Sequence, residues 1–221
     1  MKRSKSDEVQ RFFEGYAADF EAIYGHSRCR NALERWIDRN LRKVMRLRFE
    51  ETLRRTANPD LRTILDVGCG PGHYCAAFLQ QGKDVVGIDL SPGMLELARR
   101  RVASMEHGGD VEFVQGDYLR HRFQRRFDAA CLMGFFDYTD DPAAVLEKLK
   151  GDVSGEIYGS FPKRAGLLAA SRRIRYRLRR CPLHLYSLPE LRALLETCGF
   201  GGRYQIKDLG RDYFVRIRLR P

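Results

Sequence analysis

Hydrophobic positions fall into two rhythms along this chain, short unbroken runs and stretches with helical spacing. The runs predict strands at 62–67, 84–89, 111–115, 127–132 and 154–160. Helical spacing between them predicts helices at 73–81, 92–104 and 141–149. Ser91 stands at the N-cap of the second of these, with Pro92 in its first turn, as helix starts favour. Strands and helices that alternate in this way predict a parallel sheet. Residues 118–126 are too polar and too short a stretch to assign.

The flanks read differently. Ser6 can cap a helix beginning near Asp7, whose stripe Val9, Phe12, Phe13, Tyr16, Ala17, Phe20, Ile23 and Tyr24 ends at Gly25. A second helix is predicted from Asn31 to Thr56, with Val44, Phe49 and Leu53 on its apolar face and many arginines elsewhere. Asn58-Pro59-Asp60 breaks it. After the fifth strand, Leu167, Leu168, Ser171, Ile174 and Leu178 share one helical face, and arginines including Arg172, Arg173 and Arg175 cover the rest. A helix over 188–198, capped by Ser187 and ended by Gly199, precedes an alternating strand pair, Tyr204–Lys207 and Tyr213–Leu219.

At 221 residues the chain fits one domain with additions. Its apolar runs fall short of the roughly 20 residues a bilayer span needs. The charged start, Met1 to Glu8, leads into no signal-peptide core, so cytoplasmic residence is expected. Six scattered cysteines form no Cys-x-x-Cys pair. Cys69-x-x-x-His73-x-Cys75 is read as loop and helix residues, with no metal expected. A net charge of +11 is compatible with nucleic acid, an anionic membrane or an acidic small substrate, and does not choose between them.

The candidate chemistry lies at Ile64 to Tyr74, where an apolar strand runs into glycines at 68, 70 and 72. Such a strand-to-helix junction is where open α/β sheets bind ligands, and glycine lets a ligand lie against the main chain. A dinucleotide fingerprint beginning at Gly68 would need glycine at position 73, where His73 stands. The Gly-Lys-Ser/Thr of a phosphate loop is missing too. Asp66, two residues before the first glycine, would repel a pyrophosphate and tolerate an ammonium or sulfonium. Asp89, 21 residues beyond Gly68, is placed to accept hydrogen bonds from a ribose.

These motifs resemble the class I S-adenosylmethionine-dependent methyltransferases over roughly residues 60 to 220. Ile64–Tyr74 matches their first motif and Val85–Leu95 their second; Val111–Leu119 looks like the adenine-side loop and Phe127–Met133 like the fourth strand. The resemblance implies a Rossmann-like α/β fold, a seven-stranded mostly parallel sheet with a closing antiparallel strand. It also implies a helical N-terminal lid over 1–58 and a core over 59–221 carrying a basic helical insert at 162–186. The cofactor would be S-adenosyl-L-methionine and the product S-adenosyl-L-homocysteine. Asp66, Gly68, Gly70 and Gly72 would shape the pocket for the methionine end and ribose, and Asp89 would hold the ribose hydroxyls. Leu90 and Met94 would pack near the adenine, Asp117 would accept its amino proton, Tyr118 would lie beside the ring, and Met133 and Gly134 would line the sulfonium.

Methyl transfer is an in-line displacement, so alignment supplies much of the acceleration and a base is needed only where the acceptor has a proton to lose. Asp137 is the first candidate for that base, with Tyr138 and His184 behind it. Tyr16, Tyr24, Phe136, Tyr158, Arg175 and Tyr186 are candidates for contacting the acceptor. The loop after the fourth strand lacks the two prolines typical of enzymes that methylate amino groups of nucleic-acid bases, which counts against nucleic acid. The order of elements at both ends is faintly similar to magnesium-protoporphyrin O-methyltransferases, which act on a carboxylated, membrane-associated macrocycle. A small-molecule methyltransferase acting on oxygen of an anionic or lipid-linked acceptor is therefore expected, with peripheral membrane contact through the basic helix open. An RNA methyltransferase and a non-catalytic cofactor-binding scaffold are the alternatives; the oligomeric state is left open.

Overall fold

The computed structural model describes residues 32–164 and 183–220, with side chains from residue 42 onward. The helix predicted near Asp7, Tyr16, Tyr24 and the arginine-rich helix with Arg175 lie outside the described residues.

Among the described residues the elements follow in the order α1 (Ala32–Thr56), β1 (Thr63–Val67), α2 (His73–Gln80), β2 (Asp84–Asp89), α3 (Pro92–Ala103), β3 (Val111–Gln115), β4 (Phe127–Leu132), α4 (Pro142–Asp152), β5 (Val153–Pro162), α5 (Leu188–Thr197), β6 (Tyr204–Asp208) and β7 (Asp212–Arg218). The strands form one seven-stranded sheet in the order β3-β2-β1-β4-β5-β7-β6. β1 to β5 pair in parallel, while β7 runs antiparallel between β5 and β6. The central strands are covered on both faces, which is why they appear in the sequence as apolar runs rather than alternations. β5 extends past its expected end at 160 because Phe161 and Pro162 pair with Tyr213 and Asp212 of β7.

The pleat sorts the core into two layers. Leu65, Val67, Val86 and Ile88 face a cluster with Phe127, Phe136, Leu146 and Leu191, on the α4 and α5 side. Ile64, Val85, Ala129 and Tyr158 face the opposite cluster, with Val44, Phe78, Leu95 and Phe214, on the α1, α2 and α3 side. Local chemistry starts the helices where they start. Ser91 and Asp141 accept hydrogen bonds from Met94 N and Ala144 N, each followed by proline. Ser187 and Glu190 make a reciprocal capping box at α5.

The C-terminal half of α1 packs on the sheet. Thr56 Oγ1 donates to Gln81 Oε1 at 2.8 Å and Gln81 Nε2 donates back to Leu53 O at 2.9 Å, joining the C-terminal ends of α1 and α2. The rings of Phe49 and Tyr74 are 5.1 Å apart between centroids. Glu51 is buried yet bonded to Arg55 Nε at 2.7 Å, Arg54 Nη2 at 2.8 Å and Lys207 Nζ at 2.9 Å, which ties α1 to β6. Burial alone would raise its pKa, but hydrogen bonds from Arg54, Lys207 and Arg55 outweigh it and hold the carboxyl at about 2. The unfolded chain ionises this group near 4.5, so its contribution is complete above that pH and is lost as pH falls toward 2. Glu51→Gln is expected to lower unfolding free energy by about 2–3 kcal/mol at pH 7. The gap from the wild type is expected to close between pH 4.5 and 2, as measured by denaturant unfolding across pH.

Candidate active site

The strand order reverses between β1 and β4, so connections leave their carboxyl ends in opposite directions and open a crevice there. Three loops meet at this edge: 68–72 after β1, 89–91 after β2 and 133–141 after β4.

The glycine loop is pinned at its start, where Gly68 N and Cys69 N both donate to Ile88 O, at 2.8 and 3.2 Å. Gly68, Gly70 and Gly72 adopt φ of 69°, 52° and 76°, a left-handed conformation that costs other residues energy. Their surroundings differ. A Cβ on Gly68 would lie 2.9 Å from the Phe135 ring, and one on Gly72 would lie 2.8 Å from Ala98 Cβ. At Gly70 nothing comes within 4 Å. The outer two glycines thus allow close packing, while the middle one faces open space.

Asp89 fastens this loop. Its Oδ2 accepts from Gly70 N and its Oδ1 from Ser91 N, both at 2.9 Å, so one carboxylate links the β1 loop to the α3 cap. Burial pushes its pKa up, opposed by those N–H bonds. Asp66 is nearby and more deeply buried; its sheet neighbours are Gly87 and Cys131, whose small side chains leave room for the Cys75 thiol. That thiol donates to Asp66 Oδ2 at 3.2 Å. Burial raises the Asp66 pKa to about 7; the thiol bond opposes this and the Asp89 charge adds to it. His73, which opens α2, is lowered to about 4 by burial and by Arg101, so it is neutral at pH 7. Among the described residues no three His, Cys, Asp or Glu side chains are grouped as metal ligands.

The remaining cofactor-side residues divide between rim and core. Asp117 is partly exposed, with Oδ1 accepting from Leu119 N at 3.0 Å, and Leu90 is half-buried. Met94 is buried under α3. Tyr118 lies in the core on the α4 side, its hydroxyl donating to Asp152 at 2.8 Å and Lys148 Nζ 4.7 Å over its ring.

Beyond β4, Met133 is buried, and Gly134 turns with φ 78° and donates to Ser160 Oγ at 2.8 Å. Phe136 is fully buried and stacks on Phe161, with centroids 4.1 Å apart. Tyr158 has no exposed surface and its hydroxyl donates to Glu156. Both aromatics therefore sit among core side chains. Asp137 is buried and its carbonyl accepts from His184 N at 2.9 Å. His184 Nε2 is 2.9 Å from Asp140 Oδ1, and Tyr186 donates to Phe136 O at 3.3 Å. Tyr138 is half-buried on the same loop. The structure thus brings Asp137 to the His184 backbone, with Tyr138 next to it on the loop, and His184 and Tyr186 line a cavity of ≈ 590 Å³ with Asp140, Arg164 and Glu190.

Three contributors escape a reading of the sequence. Ser160 is an ordinary serine at a strand end, and Asp140 and His184 meet only after 44 residues of chain fold back. Arg48 reaches Ser160 from α1, where it is one arginine among many.

Comparison with known proteins places this geometry. Residues 64–151 match the family described as Methyltransferase domain. The ubiquinone biosynthesis O-methyltransferase of Serratia proteamaculans is 28% identical over 153 residues, which is 66% of this chain and 59% of that protein. Its counterpart from Erwinia tasmaniensis is 26% identical, covering 72% of this chain and 65% of its own length. The chain therefore spans about three fifths of the length of the curated relatives it matches. In architecture it is similar to the magnesium protoporphyrin IX methyltransferase of Synechocystis, crystallised with S-adenosylmethionine, with a TM-score of 0.74, 17% identity and 98% of each chain covered. An O-methyltransferase family protein of Burkholderia thailandensis aligns with a TM-score of 0.64 and 18% identity over 96% of this chain and 70% of its own. Residues 64–151 thus match a methyltransferase domain, and the sheet of this order, with a clasped glycine loop at its switch point, is similar in fold to S-adenosylmethionine-dependent methyltransferases.

Proposed function

We propose that this chain transfers a methyl group from S-adenosylmethionine to an oxygen of a small, acidic acceptor. One observation carries the reading. A buried carboxylate, Asp66, and a half-buried one, Asp89, flank a loop whose middle glycine faces open space, which suits a ligand with a cationic end and a hydroxylated ring. The names of the relatives support oxygen as the acceptor atom.

The residues present fit the cofactor. Asp66 would stand opposite its charged methionine end, Gly68 to Gly72 would lie along it, and Asp89 would hold the ribose hydroxyls while keeping the loop in place. Leu90 and Met94 would supply apolar surface and Asp117 an acceptor for the adenine amino group. Bound S-adenosylmethionine supplies a methyl carbon made electrophilic by its positive sulfur. Met133 and Gly134 would line that end, with half-buried Phe135 and buried Phe136 beside it limiting water. An acceptor hydroxyl has a proton to lose. His184, oriented by Asp140 through Nε2, is the group suited to receive it at Nδ1, with Asp137 holding the His184 backbone.

Incubation with methyl-labelled cofactor and a panel of phenols and carboxylic acids tests turnover; no labelled product with any oxygen acceptor, while the cofactor binds, would favour a scaffold. Binding carries two further expectations. A cationic ligand beside Asp66 favours its ionised form, so S-adenosylhomocysteine affinity measured by calorimetry is expected to rise about tenfold from pH 6 to pH 8, and Asp66→Asn to flatten that rise. Gly70→Ala, with open space around it, is expected to cost about 1 kcal/mol of stability yet abolish measurable binding. Gly72→Ala, whose new Cβ meets Ala98, is expected to cost about 2–4 kcal/mol in denaturant unfolding.

A further inference from the structure

Beneath the glycine loop two thiols converge that the steps above leave unused. The Cys75 thiol, on α2, is within hydrogen-bond reach of the Cys69 thiol as well as of Asp66 Oδ2, 3.2 Å away. Both sulfurs stand over Gly87 of β2, where a Cβ would sit 3.0 Å from Cys69 Sγ and 3.1 Å from Cys75 Sγ. Glycine at that position leaves room for the pair. Both cysteines are free, and Cys131, the sheet neighbour of Asp66, is buried in the same cluster.

Buried cysteines commonly act as small hydrophobes. Three features set this pair apart. Cys69 belongs to the loop itself, and its sulfur is 3.9 Å from the carbonyl of Gly70, the residue that faces open space. A carboxylate stands at Cys75, so a base and a nucleophile are within hydrogen-bond reach of each other. The bond from Cys75 also favours the Cys69 thiolate, although burial and the charges of Asp66 and Asp89 outweigh it and leave that thiol raised. Oxidation is therefore slow, and a ligand lying along the loop closes the approach to Cys69 altogether.

We infer that Cys69 and Cys75 are a modification site, a dithiol that a hydroperoxide converts to a disulfide which switches the cofactor seat off. The inference rests on the reading of this loop as that seat. Hydrogen peroxide oxidises the Cys69 thiol to a sulfenic acid and releases water. The Cys75 sulfur then attacks the Cys69 sulfur while its proton passes to Asp66. The S–S bond forms, the S–O bond breaks, and the departing hydroxide takes the proton from Asp66 and leaves as water. The two thiols lose two electrons, and one peroxide is reduced to two waters. Bonding brings the sulfurs to about 2 Å, which draws Cys69 toward α2 and pulls on the Gly70 N–H held by Asp89. It also removes the S–H that Asp66 accepts.

To test this, the full chain is treated with hydrogen peroxide, the excess is destroyed with catalase, and two quantities are read. Mass spectrometry of the tryptic peptide 63–83, which holds both cysteines, reports the link as loss of a pair of hydrogens and resistance to iodoacetamide. Calorimetry reports S-adenosylhomocysteine affinity. Wild type is expected to form the link, to bind at least about tenfold more weakly, and to recover on addition of dithiothreitol. Cys69→Ser and Cys75→Ser, each compared with its own untreated form, are expected to change less than about twofold, whereas methionine oxidation would weaken them equally. Protein saturated with S-adenosylhomocysteine before treatment is expected to keep both thiols alkylatable. Should Cys75→Ser fail to fold, Cys69→Ser decides. Thiols that stay alkylatable, a link to Cys131 instead, a link that leaves affinity unchanged, or an equal loss in the serine variants overturns the inference. Failure of the untreated wild type to bind S-adenosylhomocysteine overturns the methyl-transfer reading, while the peptide mass decides the disulfide on its own.

Discussion

Asp89 accepts hydrogen bonds from Gly70 N and Ser91 N, and the shape of the carboxyl edge depends on that pair. One bond draws the loop after β1 toward β2, and the other orders the start of α3. With Gly68 N and Cys69 N both on Ile88 O, the loop is held to its neighbouring strand at three points. Positioning of this kind matters for methyl transfer, because alignment of the reacting atoms supplies much of the rate.

Asp66 and Asp89 lie on the β1–β2 side, both raised by burial, so the protein keeps acidic groups in a place that disfavours their ionised forms. A cationic ligand relieves that burden, which couples binding to proton release. On the β4–β5 side Arg48 reaches Ser160 and pairs with Asp212. Glu51 contributes at a distance, since its bonds to Arg54, Arg55 and Lys207 hold the helix that carries Arg48.

Much of the fold was legible in the sequence, for identifiable reasons. β2, β3 and β4 begin and end where their apolar runs do, and Ser91, Pro92 and Ser187 mark helix starts by their own hydrogen-bonding chemistry. The Asp66, Gly68, Gly70, Gly72 and Asp89 pattern is local, so its spacing survives in one dimension. What escaped depends on tertiary neighbours. The last two residues of β5 become strand only because β7 comes back beside them. Aromatic residues such as Tyr118, Phe136 and Tyr158 have a spacing that suits core and site equally, and it is packing that places them among core side chains. Arg48 could not be distinguished from the other arginines of its helix until Gly134 and Ser160 were seen against it.

The central claim is that Asp89 and the glycine loop form one ready-made seat for an adenosyl ligand. Backbone amide resonances of isotope-labelled protein, followed during addition of S-adenosylhomocysteine, examine that seat residue by residue. The account predicts the largest shifts at Gly68 to Gly72 and at Ser91, and their loss in Asp89→Asn. Shifts confined to the cavity around His184 and Leu194, with the glycine loop unmoved, would contradict it.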